Sequence, residues 1–342
     1  KFKPFLFEFP LKRSGQIGYL KPIMEKFLQY DSESICYQSQ SNSNLKPNTN
    51  CLLRLGIKNN SEQSFLQAIA KILRMSLSKL KDTMLTELTI NKFVMASNGS
   101  LIDVFDNNIS EISNDTIKIN NKELNEILNN KLDKKIKRSY ANFKKYLKND
   151  KIFIDYKYIW DFITQDKNDS GLLFENGINL MIFNNPNNDA YEKIEIICPN
   201  MSSNDKIFYK DRKFILLYSE FNYYEVLMHY NTKNSKFLFD YEELMNDVIP
   251  HTFEKIINIL LNSCSNKPSM PKKYKYSENL KARAIINIIK QQKDMKIINQ
   301  IINYNFKTVG LVVEIENKNV YLPTALSPVI IDLDYYFVDN DN

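Results

Sequence analysis

Residues 51–75, CLLRLGIKNNSEQSFLQAIAKILRM, restrict the possible folds more than any other stretch of the chain. A short apolar run at 52–57 stops at the polar loop 58–63, and apolar residues return at Phe65, Leu66, Ile69, Ile72 and Leu73. The first pattern is that of a buried strand, and the second predicts a helix with one buried face. Ser64 falls at the loop-to-helix junction. There a side-chain oxygen can cap free backbone N–H groups, and a nucleophile would feel the positive end of the helix dipole. The junction is therefore either a working active site or the frame of one that has lost its chemistry.

The rest of the composition narrows the chemistry. Only 7 of the 342 residues are glycine, and neither G-x-x-x-x-G-K-[ST] nor G-x-G-x-x-G occurs, which sets aside phosphate cradles and dinucleotide folds. The length is that of about two domains. A net charge of +6, spread through interspersed Lys, Asp and Glu, does not by itself mark a polyanion-binding protein. Cys36, Cys51, Cys198 and Cys264 form no C-x-x-C pair, and with two histidines in the chain no metal-ligand set is expected. The cysteines read as free thiols in a reducing, intracellular setting, and no cofactor is implied. No secretory signal and no run of 18 apolar residues is present, so no membrane association is expected. The chain starts at Lys1 without an initiator Met and reads as a piece of a longer polypeptide.

Along the chain, residues 1–50 read as an extended N-terminal arm, with Phe5, Phe7, Phe9, Tyr19 and Phe27 as anchors in the body's grooves. Helical spacing recurs at 76–84, 89–95, 121–148 and 156–163, the last carrying the only tryptophan, Trp160, as a packing anchor. A turn is expected at 97–100. Apolar runs at 178–183, 194–198, 214–218 and 223–230 predict strands, the last two joined as a hairpin across 219–222. A helix is expected at 253–261, and a Pro-containing linker at 263–279. Residues 280–304, with isoleucines at 285, 286, 289, 297, 298, 301 and 302, predict one long amphipathic helix, followed by a hairpin at 309–315 and 320–322. The class is α+β: helices packed on a small mixed or antiparallel sheet, with residues 51–262 as the core and 280–342 as a C-terminal helix and hairpin.

Two stretches together carry a resemblance. SEQSFLQAIA at 61–70 is similar to the D-G-N-C-L-F-R-A-hydrophobic motif of ovarian-tumour (OTU) deubiquitinases, and YYEVL at 223–227 to their H-Y-[NDE]-hydrophobic strand. The resemblance implies a papain-like cysteine-hydrolase frame. Ser64 stands where the family has its nucleophilic Cys, and Tyr223 where it has its His. A serine hydroxyl needs a strong, well-placed base, which tyrosine at neutral pH is not. The motif's glycine is also absent, so the resemblance implies a catalytically inactive module whose degenerate dyad is Ser64 and Tyr223. His229, six positions beyond Tyr223, lies roughly 20 Å along a strand and cannot replace it. His251 has nothing in the sequence to bring it to Ser64, Cys51 reads as a small buried hydrophobe, and the acidic pairs 242–243 and 332–334 as solvated charges.

A second resemblance runs through most of residues 15–338. The segments GYLKPIMEKFL, SNLKPNTNCLLRLGIKNNSEQSFLQAIA, YIWDFI, GINLMIF and IEIICPN are similar to a block in the large subunit of the early transcription factor of nucleocytoplasmic large DNA viruses. It implies a transcription-linked viral polypeptide located in the host cytoplasm, the virus factory or the virion. Its partners would be other parts of that polypeptide, a polymerase or a ubiquitin-like protein. An alternative is a nucleic-acid-binding module, with DNA held through Lys134, Lys135, Lys137, Arg138, Lys144 and Lys145 in KLDKKIKRSYANFKK, where Lys and Tyr interleave. A further alternative is an OTU-like hydrolase with a non-standard site.

Overall fold

The computed structural model describes residues 8–39, 42–46, 49–57, 62–106, 125–186, 193–199, 208–231, 234–264, 279–292, 294–303 and 305–338. Phe5, Phe7, most of the loop 58–63 and most of the linker expected at 263–279 lie outside these residues. Strand β1 (Ile17–Gly18) leads through helices α1 (Pro22–Leu28) and α2 (Ser32–Cys36) to the strand pair β2 (Tyr37–Ser39) and β3 (Asn42–Leu45). Then come β4 (Cys51–Leu55), α3 (Ser64–Ile72), α4 (Leu77–Glu87), α5 (Ile90–Met95), α6 (Leu101–Val104) and α7 (Asn125–Lys148). Helix α8 (Tyr156–Thr164) precedes β5 (Asn179–Asn185), β6 (Glu195–Ile196), β7 (Phe214–Glu220), β8 (Tyr223–Tyr230) and β9 (Ser235–Lys236). The chain ends with α9 (Tyr241–Glu243), α10 (Phe253–Ser263), α11 (Ala282–Ile289), β10 (Met295–Ile302), β11 (Lys307–Ile315), β12 (Lys318–Pro328) and β13 (Tyr335–Phe337). The class is mixed α+β. Two compact units divide the chain, one built from 1–87 with 147–266 and the other from 88–146 with 267–342.

The first unit is organised on a sheet of order β1-β4-β8-β7-β5-β6, with β9 added to β8. Pairing is antiparallel except between β5 and β7, so the sheet is mixed. All of β4 is buried, and α3 packs on β8 through Phe65, whose ring lies 5.1 Å from that of Tyr224. Helix α3 ends in a Schellman turn: Met75 N donates to the Ala70 carbonyl and Arg74 N to that of Lys71, with Arg74 left-handed at φ 55°. Asp155 caps α8 by accepting from Lys157 N at 2.9 Å, and Trp160 on that helix is 2% exposed. The hairpin between β7 and β8 turns on Phe221 and Asn222 at φ 51° and 59°, the paired left-handed conformation of a type I′ turn.

The expectation of four free thiols is overturned. Cys36 is disulfide-bonded to Cys51, with Cα atoms 5.8 Å apart, and Cys198 to Cys264, with Cα atoms 5.2 Å apart. Their separations of 15 and 66 residues left no local signal in the sequence, because the folded chain is what brings them together. The pairs are compatible with an oxidising setting and do not by themselves fix a location.

In the second unit, α7 docks through polar groups as well as rings. Ser139 Oγ donates to the Ile102 carbonyl at 2.7 Å, Tyr140 Oη to that of Leu88 at 2.8 Å and Asn142 Nδ2 to that of Phe105 at 2.9 Å. Phe143, fully buried, lies 5.4 Å from the Phe93 ring and 5.1 Å from the Phe105 ring. A second sheet, of order β12-β11-β10-β13, packs on α11 around Ala282, Ile286, Ile289, Leu311 and Val313.

The single helix expected over residues 280–304 is wrong. Helix α11 stops at Ile289, and the isoleucines beyond it belong to β10. Register shifts in the pairing of β10 with β11, at 297–299 and at 301–302, break the strict alternation that would have marked a strand. The isoleucine spacing then mimics a helix. Among the described residues no helix is long and apolar enough to cross a membrane.

Candidate functional site

The strand–loop–helix junction is present, and the two dyad positions meet at it. Gln63 occupies the N-cap position of α3 and is tied down by its side-chain amide, which donates to the carbonyls of Asn149 and Ile152 at 3.2 and 2.7 Å. Ser64 is the first helical residue and fully buried, rather than standing at the N-cap itself. Its hydroxyl donates to the Asn222 carbonyl at 3.2 Å, on the residue before Tyr223. The I′ turn thus aims a backbone acceptor at the helix start.

Tyr223 opens β8 and is also buried, its hydroxyl donating to the Ile57 carbonyl at 3.5 Å and its ring 5.8 Å from that of Phe9. Burial pushes its phenol up to about 12, with the nearby Glu225 carboxylate adding to the rise. At neutral pH it is a protonated donor and cannot take a proton from Ser64.

Glu225, at the acidic position of the strand motif, is the residue that most shapes the site. Its Oε2 accepts from Arg54 Nη1 at 2.5 Å and its Oε1 from Leu11 N at 2.6 Å, with both charged side chains fully buried. Arg54 also donates through Nε to the Tyr19 carbonyl at 2.6 Å and through Nη2 to that of Glu8 at 2.9 Å. Burial pushes the Glu225 carboxyl up, against the guanidinium and the Leu11 N–H, which pull it down. The pair clamps residues 8–19 onto β4 and β8. It was missed in the sequence, although each partner is a charge in the middle of an apolar run, CLLRL and YYEVL, which is the signal that could have found it.

The histidines stand elsewhere. His229 lies near the far end of β8, opposite Leu52, and burial pushes its imidazole down; His251 is exposed in the turn before α10. Cys51 is buried, as expected of it, but in a disulfide.

The basic positions of α7 are divided in their roles. Lys135 donates to Asp103 at 2.5 Å, and Arg138 Nε to Asp106 at 2.6 Å, so both are engaged within their own unit. Lys144 Nζ lies over the Tyr140 ring at 5.1 Å, Lys137 is half-buried, and Lys134 and Lys145 are exposed. Among the described residues no group of three or more His, Cys, Asp or Glu side chains is placed to hold a metal ion. Compared with known proteins, the chain matches no family model, no curated protein and no solved structure.

Proposed function

We propose that this chain is a non-catalytic α+β module of the OTU-like, papain-like kind, acting as a binding or scaffold domain in a transcription-linked polypeptide of a large DNA virus. The observation that carries the reading is the double burial of Ser64 and Tyr223 at one junction, each hydroxyl given to a backbone carbonyl. A nucleophile must reach its substrate and must have a base to receive its proton. Here the hydroxyl is spent on Asn222, and the neighbouring phenol, at about 12, holds its own proton. What the frame retains is shape. A module of this kind works by presenting surface to another part of the same polypeptide, to a polymerase or to a ubiquitin-like protein.

The alternative of a nucleic-acid-binding module draws on Lys134, Lys137, Lys144 and Lys145, and it is weakened by the ion pairs that occupy Lys135 and Arg138. The deciding experiment concerns the junction. Incubation with a fluorogenic ubiquitin substrate and a covalent ubiquitin probe is expected to give neither turnover nor adduct. Turnover that disappears in Ser64→Ala would overturn the non-catalytic reading.

A further inference from the structure

A cavity of about 420 Å³ lies beside α3 and shares with the Ser64–Tyr223 junction only Ile57, whose carbonyl accepts from Tyr223. Its volume falls in the lower part of the roughly 300–1,000 Å³ range of small-ligand sites. Ile57, Ala70, Met75 and Leu77 supply apolar lining. Five polar side chains share the same wall space: Gln67, Lys71 and Asp150, with the hydroxyls of Ser14 and Ser76.

Gln67 is the informative one. It is only 8% exposed, and among the described residues no donor reaches its Oε1. A buried amide oxygen left without a partner costs about 1–3 kcal/mol, and an N–H or O–H donor entering the cavity would satisfy it. Lys71 follows one helical turn later, on the same face of α3, and makes no ion pair among the described residues. Asp150 brings a carboxylate, held by Lys81 Nζ at 2.7 Å and largely exposed on its other side. The Schellman turn after α3 fixes Lys71 and Met75 relative to each other, since the N–H groups of Arg74 and Met75 are bonded back into the helix. The site therefore offers one cation, one anion, one buried acceptor and an apolar lining. Both signs of charge face the cavity, Lys71 without an ion pair among the described residues and Asp150 already paired on one side with Lys81, which suits a ligand that carries both charges.

We propose that this cavity binds a small zwitterion with an apolar body, of the class of an apolar amino acid or a short apolar peptide. Its carboxylate meets Lys71, its ammonium or amide N–H meets Gln67 Oε1 and Asp150, and its side chains cover the apolar lining. The inference does not rest on the non-catalytic reading of the junction, and either can fail without the other.

The test is calorimetric titration of the full chain with leucyl-leucine, its C-terminal amide and its N-acetyl derivative. Saturable binding is expected, weakened about tenfold or more by amidation and in Lys71→Met, the scale of losing one charge-assisted contact. Acetylation is expected to weaken it several-fold, as is Gln67→Met. Trp160 fluorescence checks the fold of each variant, and should Gln67→Met not fold, the acetylated ligand still tests on the wild-type protein the contact of the ligand's ammonium with Asp150. Absence of saturable heat at millimolar leucyl-leucine overturns the proposal. So does binding that amidation and Lys71→Met both leave unchanged.

Discussion

The two units solve the same problem, a sheet with polar groups in its interior, by different means. The first holds a charged centre: Arg54 and Glu225, fully buried, with the guanidinium also bonded to two carbonyls from residues 8–19. The second holds a neutral one. Gln300, equally buried, donates through Nε2 to the Ile330 and Leu333 carbonyls at 2.6 and 2.8 Å, and accepts through Oε1 from Thr308 Oγ1 at 2.8 Å and Ile330 N at 2.9 Å. Both disulfides join residues of the first unit. A neutral amide with four partners tolerates the interior on its own, whereas a buried ion pair needs every partner kept in place.

The largest expected effect follows from that difference. Reduction of both disulfides should destabilise the first unit by about 3 kcal/mol for the 15-residue separation and about 4 kcal/mol for the 66-residue one, in the chain-entropy account. Trp160, the only tryptophan, reports this unit alone, while far-UV circular dichroism reports both. With reductant the fluorescence transition should move down by on the order of 15 °C while the second unit's transition stays where it was. A fluorescence midpoint that does not move, although four thiols become titratable, would mean that the cross-links contribute little to this unit.

Next in size is the ion pair itself. Glu225→Ala leaves Arg54 buried and uncompensated and should cost about 3–5 kcal/mol, seen as loss of the Trp160 transition at ordinary temperature or a large fall in its denaturant midpoint. Arg54→Met combined with Glu225→Leu removes both charges and should recover most of that loss. In the second unit, Gln300→Leu should cost about 2–3 kcal/mol, because it strips partners from neutral groups only. Equal costs for Glu225→Ala and Gln300→Leu, or a double variant no better than Glu225→Ala, would show that charge is not what separates the two centres.

Much of this architecture was legible because local patterns and packing agree. The run at 52–57 and the helical spacing after it became β4 and α3, and FILLY and YYEVL became the paired β7 and β8. The legible part of the site was the position of Ser64 and Tyr223, since each is flanked by residues that fix its element. What each hydroxyl bonds to was not legible. Asn222 and Ile57 offer backbone carbonyls, and a carbonyl has no residue type by which to be recognised. The cysteine pairs were lost for a related reason, as proximity across 15 or 66 residues is a property of the fold. At 280–304 the failure was one of period: isoleucine at 297, 298, 301 and 302 fits a helix, and only the register shifts of β10 explain why it also fits a strand. Residues 290–294, KQQKD, contain neither Gly nor Pro to mark the break.

The last contrast separates the units by pH, and with opposite sign. In the first unit burial pushes up the phenols of Tyr156, Tyr209, Tyr218 and Tyr224, and those of Tyr19, Tyr30 and Tyr223 to about 12 from an ordinary value of 10.0. Folding favours their protonated forms, so their contribution is fully present below pH 10.0 and is lost as pH rises toward about 12. In the second unit burial pushes the Lys307 ammonium down, and the neighbouring Lys135 pushes it the same way against Asp103. Its charged form is the one the fold disfavours, so that penalty fades as pH rises through its lowered value toward 10.5. Denaturant titrations at about pH 9 and about pH 11 should therefore show the Trp160 midpoint falling more than the midpoint of the second unit. Tyr223→Phe removes one of these raised phenols and should make the fall in fluorescence midpoint smaller. A fall of undiminished size in that variant would place the alkaline sensitivity of the first unit elsewhere than at the junction.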